Sequence, residues 1–394
     1  MDIREASILV VDDDEGVLRA VSRILARGGR RVVEAPGPRA ALELARGAPF
    51  DLAVVDVRMP EMNGFELMRT LKREHPDLDV IIMTGNVEES DENLLRAIDE
   101  GAYYFIQKPF DRRVMLALVD RCLELRRLRE EREGFLDRVA RELDEARQFQ
   151  LGMLPAPEYR GRGLSLAARY MASNELAGDI YDYAETEAGG VAILIADVAG
   201  HGTSAAMVTA VVKAGFRAAY VDDFEPRWVA ERIKEGIREF DPGRFVTLCC
   251  VRLGPEGDLL EYVNAGHPEA YIRGGDGAIR TLGSTGPILS SALHGFPCVQ
   301  SADRLAPGES LLLYTDGVTE ARSPAGSGMF GTEPILDIFR RADLPPGPRL
   351  DAVLEALRHF AGAEGYEDDV TMLTLDRDPV EEAGRLASIG SAAL

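Results

Sequence analysis

Aspartate recurs in this chain where an apolar run stops. Asp12 and Asp13 end "ILVVDDD", and Asp56 ends "LAVVD". Three carboxylates brought to one sheet edge repel one another unless a cation neutralises them. Mg²⁺ suits such a set, because it takes oxygen ligands and keeps water positions open for a phosphoryl group. Lys108 in "QKPF" offers positive charge for phosphate oxygens, and Thr84 in "IIMTG" offers a hydroxyl. Pro109 allows a cis peptide bond after Lys108. Acidic helix caps account for Asp13 or Asp14 singly, but not for Asp56, Thr84 and Lys108 together.

A second acidic set lies farther along. It comprises Asp179 and Asp182 in "GDIYDY", Asp197 in "IADVAGHG", Asp316 in "LLLYTDGVTEA", and Asp368 and Asp369 in "DDVTML". Each stands beside a strand-like run, so a rigid sheet can fix it. No Cys and His cluster with zinc-site spacing accompanies these acids, and all-oxygen sites suit Mg²⁺ or Mn²⁺. With no Lys in company, the set suits two cations and a water rather than a phosphoryl group held as a signal.

Two architectures are needed to position these residues. Through the first 110 residues, apolar runs alternate with amphipathic segments at Glu15–Arg27, Pro38–Arg46, Gly64–Arg73 and Asp91–Glu100. Five strands alternating with helices predict a doubly wound, five-stranded parallel sheet with its site beyond the carboxyl ends of the strands. Residues 111–149 lack Pro and predict a long helix. One heptad register places Leu118, Leu125, Arg132, Val139 and Ala146 at one seam position and Cys122, Arg129, Leu136 and Leu143 at the other. Seven of these nine are apolar, a coiled-coil pattern interrupted at Arg129 and Arg132. A single amphipathic helix packed on its own chain also accounts for it; pairing with a second copy is the favoured expectation. The Pro- and Gly-rich "LPAPEYRGRG" marks a boundary at residue 154. Beyond it, consecutive strand-like runs with grouped helices predict an α+β domain built on antiparallel sheets.

Composition bounds the function. A chain of 394 residues holds two or three domains, and 46% hydrophobic residues can build their cores. No apolar run approaches the length of a membrane span, and "MDIREASILV" is too charged for a secretory signal. Cys122, Cys249, Cys250 and Cys298 show no C-x-x-C spacing, as expected of a reduced, cytoplasmic chain. A net charge of −22 argues against nucleic acid or an anionic membrane as the main partner.

The motifs "VVDDD", "VVDVRMPEMNG", "IIMTG" and "QKPF", in that order, resemble the receiver domain of two-component response regulators, a flavodoxin-like fold. The resemblance implies phosphorylation of Asp56 by a histidine kinase or a small phosphodonor. It also implies Mg²⁺ held by Asp12, Asp13, Asp56 and the Arg58 carbonyl, with Thr84 and Phe105 reporting the event. From residue 150 on, "GDIYDY", "DVAGHGTSAAM", "NAGHPEAYI", "LLLYTDGVTEA" and "DDVTML" resemble the PPM-type Ser/Thr protein phosphatases of the RsbU and SpoIIE branch. That implies an antiparallel β-sandwich flanked by helices, with two Mn²⁺ or Mg²⁺ ions. Asp179, Asp197, Asp316, Asp368 and the Val198 carbonyl would be their ligands, with Asp369 the alternative to Asp368. Ala177 stands where a Gly is usual. The implied chemistry is in-line attack of an activated water on a phosphoserine or phosphothreonine, with no covalent enzyme intermediate. His201 differs in spacing from the acid His of animal relatives and is read as shaping a helix entry; Asn264, Gly266 and His267 are read as turn residues.

The expected organisation is a receiver (1–125), a helical coiled-coil linker (115–153), a phosphatase domain (154–376) and a disordered tail (377–394). The expected substrate is a phosphorylated STAS-domain anti-sigma-factor antagonist, and the expected assembly a homodimer. The alternative is a pseudophosphatase adaptor that holds a sigma factor or another regulator. A pure adaptor has no reason to keep all of Asp179, Asp197, Asp316 and Asp368.

Overall fold

The computed structural model describes residues 6–26, 29–85, 104–255, 259–293, 295–324, 326, 328–362 and 367–379. The helix expected at Asp91–Glu100 lies outside them. The chain divides into two compact units, Met1–Val139 and Ala140–Leu394. Among the described residues no helix is long and apolar enough to cross a membrane.

The first unit is a parallel sheet in the order β2-β1-β3-β4-β5. Its strands are β1 (Ser7–Val11), β2 (Arg31–Ala35), β3 (Leu52–Asp56), β4 (Asp79–Thr84) and β5 (Tyr104–Gln107). Helices α1 (Glu15–Ala26), α2 (Pro38–Gly47) and α3 (Gly64–Glu74) alternate with them. Because strand side chains alternate in direction, β1 sends Leu9 and Val11 to one core and Ile8 and Val10 to the other. Both faces are therefore dry, as near-continuous apolar strands require.

Helix α4 runs from Arg112 to Met153, 42 residues. In its first half Met115, Val119, Cys122 and Leu123 enter the core of the first unit. Arg129 pairs with Asp79 at 3.0 Å. The predicted seam is therefore corrected there, since Cys122 and Arg129 are committed to their own unit. Past the exposed Val114 in its first turn, the exposed apolar side chains are Leu128, Phe135, Leu136, Phe149 and Leu151.

The second unit stacks two antiparallel sheets. One runs β15-β11-β10-β9-β8, with the two-residue β14 (Leu289–Ser290) on β10. The other runs β13-β12-β16-β17-β7-β6. Those that build the site are β8 (Asp179–Glu185), β9 (Val191–Val198), β16 (Ser310–Tyr314) and β17 (Val370–Arg377). The rest are β6 (Glu158–Gly161), β7 (Leu164–Met171), β10 (Phe245–Leu253), β11 (Leu259–Ala265), β12 (Ala270–Arg273), β13 (Ile279–Leu282) and β15 (Ser301–Arg304). Helices α5 (Thr203–Ala218) and α6 (Pro226–Phe240) cover the first sheet. The four-residue α7 (Asp316–Thr319) follows β16, and α8 (Glu333–Phe339) and α9 (Pro346–Ala361) cover the second sheet. Val191, Ile193 and Ile195 of β9 face the opposite sheet; Ala192, Leu194, Ala196 and Val198 face the helices.

One boundary differs from expectation. The Pro- and Gly-rich stretch that opens the second domain holds β6, which pairs with β7. The expected tail starts too early, because Arg377 lies in β17 opposite Leu164 and the Asp378 amide donates to the Gly163 carbonyl. Residues 380–394 lie outside the described residues.

Candidate active site

In the first unit, carboxylate oxygens of Asp12, Asp13 and Asp56 come within 4.8 Å of one another. Among the described residues no other His, Cys, Asp or Glu group is drawn so tight. Asp12 and Asp56 are buried, and Asp13 is exposed. Lys108 Nζ donates to Asp12 Oδ2 at 2.6 Å and to Asp56 Oδ1 at 2.5 Å. The Arg58 amide donates to Asp56 Oδ2 at 2.8 Å. Burial lifts the Asp56 carboxyl above its ordinary range and outweighs Lys108, while the Asp12 charge adds to the lift. Burial alone would lower Lys108, yet its bonds to Asp12 and Asp56 carry it upward. Thr84 is buried, and its hydroxyl has no hydrogen-bond partner among the described residues. Phe105 is half-buried and packs on the α2–α3 side of the sheet. The Lys108–Pro109 bond is cis. Gly64 is required, since a Cβ there would lie 2.1 Å from the Asp56 carbonyl oxygen. Asn63 beside it caps α3 in a reciprocal box with Glu66.

In the second unit, strand alternation decides which acids meet. Asp197 continues the sheet-facing set Val191, Ile193 and Ile195, and Asp179 stands opposite it in register. Thr315, just past β16, and Thr371 of β17 both donate hydroxyls to Asp179 Oδ2, at 2.7 and 2.6 Å. The acids thus gather where the inner faces of the two sheets end. Burial, then the neighbouring Asp197, raises Asp179 well above the usual carboxylate range, against the two threonine hydrogen bonds. Asp197 is lifted to about 7 by burial and then by Asp316, Asp368 and Asp369. Asp316 is raised by burial, then by Asp368. Every charged neighbour that moves Asp197 is an acid. Such a donor set fits divalent cations, which would reverse the repulsion.

The aspartate doublet divides its work. Asp369 is buried; Oδ1 accepts from the Ser173 amide at 2.8 Å and hydroxyl at 3.0 Å, and Oδ2 from the Gly178 amide at 2.6 Å. Asp368 is exposed, and its Oδ1 accepts from the Asp369 amide at 2.8 Å. Asp182 lies three residues after Asp179 and therefore turns to the helix side. It is fully buried there against Lys213 at 2.8 Å and Arg217 at 2.6 Å. His201 is exposed between Gly200 and Gly202, whose φ angles are 92° and 78°, at the entry to α5. The Asn264 side chain accepts from the His267 amide at 2.9 Å across Gly266, and burial drives His267 down to about 3.

Sequence reading missed Gln150, Ser173, Thr315 and Thr371. The threonines sit inside the "YTDG" and "DDVT" motifs, but their bonds to Asp179 exist only once β16 and β17 pair. Gln150 is buried near the end of α4. Its amide donates to the Ala177 carbonyl at 2.8 Å and accepts from the Ala177 amide at 3.1 Å. It also reaches Thr209 Oγ1 at 3.3 Å. Ala177 is two residues before Asp179, and no sequence pattern marks this pairing.

One glycine is decisive. A Cβ on Gly178 would lie 2.6 Å from the Val198 carbonyl oxygen and 3.2 Å from that of Gly200. Neither backbone can step aside cheaply, because Val198 N also donates to Gly178 O at 3.1 Å. Gly178→Ala is expected to cost about 2 kcal/mol and to weaken Mn²⁺ binding. Thermal melts with and without Mn²⁺ check both; an unchanged melt and an unchanged Mn²⁺ shift would contradict this packing.

Residues 8–120 match the model of the response regulator receiver domain, and residues 187–378 that of Stage II sporulation protein E. Phosphoserine phosphatase RsbP of Bacillus subtilis is 28% identical over 242 residues, which cover 60% of this chain and 58% of that protein. Response regulator protein FleR of Pseudomonas aeruginosa is 36% identical over 118 residues, 29% of this chain and 24% of that protein. The chain thus spans less than two thirds of either relative. The SiaA-PP2C domain of Pseudomonas aeruginosa shares the fold of the second unit, with a TM-score of 0.54 and 22% identity over 62% of this chain and 98% of that one. A response regulator receiver domain and a PPM-type phosphatase domain of the SpoIIE family are therefore fused in this chain.

Proposed function

We propose that this protein is a two-component response regulator whose output is a metal-dependent Ser/Thr protein phosphatase. Asp56 accepts a phosphoryl group from a histidine kinase, and Asp12, Asp13, Asp56 and the Arg58 carbonyl hold the Mg²⁺ that reaction needs. Asp179, Asp197, Asp316, Asp368 and the Val198 carbonyl hold two Mn²⁺ or Mg²⁺ ions. Divalent cations held there would supply charge to neutralise phosphoryl oxygens and to lower the pKa of a bound water. The observation that carries this reading is the set of mutually repelling acids around Asp197, raised to about 7 with no cation among its neighbours. An adaptor would bear that cost for nothing. Asp368 is assigned over Asp369 because both Asp369 oxygens already accept from Ser173 and Gly178.

The division of labour among side chains follows. Thr315 and Thr371 fix Asp179 Oδ2, so this carboxylate needs no reorganisation when substrate arrives. Asp369 ties the Ser173–Gly178 loop in place. The substrate is a phosphorylated STAS-domain antagonist of an anti-sigma factor, and the protein pairs with a second copy along the exposed part of α4. Leu128, Phe135, Leu136 and Phe149 supply an apolar stripe for that pairing. Phosphate release from a phosphoserine-bearing STAS protein with Mn²⁺ tests the reading; no release under any metal or receiver condition overturns it.

Gln150 is a positioning residue in this scheme, since it grips the Ala177 backbone just ahead of Asp179. Gln150→Leu leaves a buried N–H and C=O unpaired, at about 1–3 kcal/mol each. It is expected to lower kcat more than KM and to blunt the response to receiver phosphorylation. Steady-state kinetics in both receiver states measures this; wild-type response in the variant would contradict it.

A further inference from the structure

The second unit has a cleft of about 1060 Å³ far from its acidic site. Strands β16 and β17 join the two. Ser310 opens β16 at the cleft, and Asp316 follows its other end; Asp368 precedes β17, and Arg377 closes it at the cleft. At about 3.3 Å per strand residue, the two places stand roughly 20 Å apart.

Arg273, the last residue of β12, lines this cleft and is 5% exposed. Its Nη2 donates to Ser310 Oγ at 2.7 Å, whereas Nε and Nη1 have no partner among the described residues. The guanidinium lies 5.8 Å from the centre of the Phe339 ring. The ring's other cation, Arg349, is bound by Asp376 at 2.7 and 3.0 Å. Burial, then the Arg349 charge, works against the protonated form of Arg273. A guanidinium keeps its proton in proteins, so an anion beside it, rather than deprotonation, would offset this burial.

The rest of the lining suits one. Arg160, Arg162 and Arg377 also line the cleft; Arg162 Nε donates to Glu185 at 3.3 Å and Arg377 Nη1 to the Leu305 carbonyl at 2.7 Å, which leaves Arg160 as the second cation for a ligand. Of its acids, Glu309 is taken by Arg280 at 2.7 Å, Asp376 by Arg349, and Asp343 by Arg341 at 3.1 Å; the half-buried Asp378 also lines the cleft. We propose that this cleft binds a small-molecule oxyanion, a phosphate or carboxylate group, with Arg273 as its buried anchor and Arg160 at its mouth. Charge-assisted bonds from a guanidinium to such oxygens are the strong kind.

The test uses the full chain in EDTA, so that metal-held phosphate at the acidic site does not contribute. Titration calorimetry with inorganic phosphate and, separately, malonate is run at constant ionic strength. Saturable binding of at least one anion is expected, weakened at least tenfold in Arg273→Met and severalfold in Arg160→Ala, and unchanged in Asp197→Asn. Preference for phosphate or for malonate says which group the ligand carries. No saturable binding of either anion, or equal binding by wild type and Arg273→Met, overturns the proposal. Should Arg273→Met fail to fold, the double variant Arg160→Ala, Arg162→Ala decides, because both arginines are exposed and their loss leaves the core intact.

Discussion

Replacing Asp197 by alanine is expected to abolish Mn²⁺-dependent phosphate release, by a thousandfold or more, while the fold persists. A thousandfold is about 4 kcal/mol of barrier, the scale expected when a carboxylate that holds catalytic cations is removed. The fold should persist because Asp197 brings repulsion rather than stability to the metal-free protein. Its folded pKa is lifted to about 7, against about 3.9 in an unfolded chain. A carboxyl raised on folding binds more protons folded than unfolded, so stability falls as pH climbs from about 4 towards 7. In EDTA, the wild-type melting temperature is expected to drop between pH 5 and pH 8, and Asp197→Ala to drop less. Calorimetric melts read this separately from activity. A variant that loses activity only because it unfolds would contradict the assignment.

Asp56→Asn is expected to eliminate acyl-phosphate formation. In wild type, both Asp56 oxygens are engaged, one by Lys108 at 2.5 Å and the other by the Arg58 amide at 2.8 Å. An arriving phosphoryl group competes for the Lys108 ammonium, and Thr84, which ends the neighbouring strand β4, has a buried hydroxyl without a partner among the described residues. An amide in place of the carboxylate keeps the shape and removes the nucleophile. Incubation with acetyl phosphate and Mg²⁺, followed by phosphate-affinity electrophoresis, should shift wild type and leave Asp56→Asn unshifted. Equal modification of both would place the phosphoacceptor elsewhere.

The parts of the fold that were legible in the sequence were those in which one strand determines its own fate. "FVTLCCVRL" and "SLLLY" are the strands Phe245–Leu253 and Ser310–Tyr314, and each reads as a strand by itself because a mostly buried apolar run needs no partner to be recognised. The strands that escaped, "EYRG", "IRTL" and "SADR", all lie at sheet edges. An edge strand is paired on one side and half-exposed, so its pattern fades into that of a loop. Helix α4 shows a second limit: a heptad pattern cannot tell Cys122, spent on its own core, from Leu136, left exposed. In the acidic site, the acids were legible as strand ends. The partners that hold them come from residues 136 to 196 positions away, such as Thr315 to Asp179 and Ser173 to Asp369. Asp182 shows the converse, an acid in the same motif that alternation sends to the other face.

Phosphate release from a phosphoserine-bearing STAS protein, with Mn²⁺ or EDTA and with the receiver either unmodified or carrying beryllofluoride, decides whether the protein is a receiver-controlled, metal-dependent phosphatase. Release that requires Mn²⁺, vanishes in Asp197→Ala and changes severalfold with beryllofluoride is the expected result. Absence of Mn²⁺-dependent release in both receiver states would contradict it.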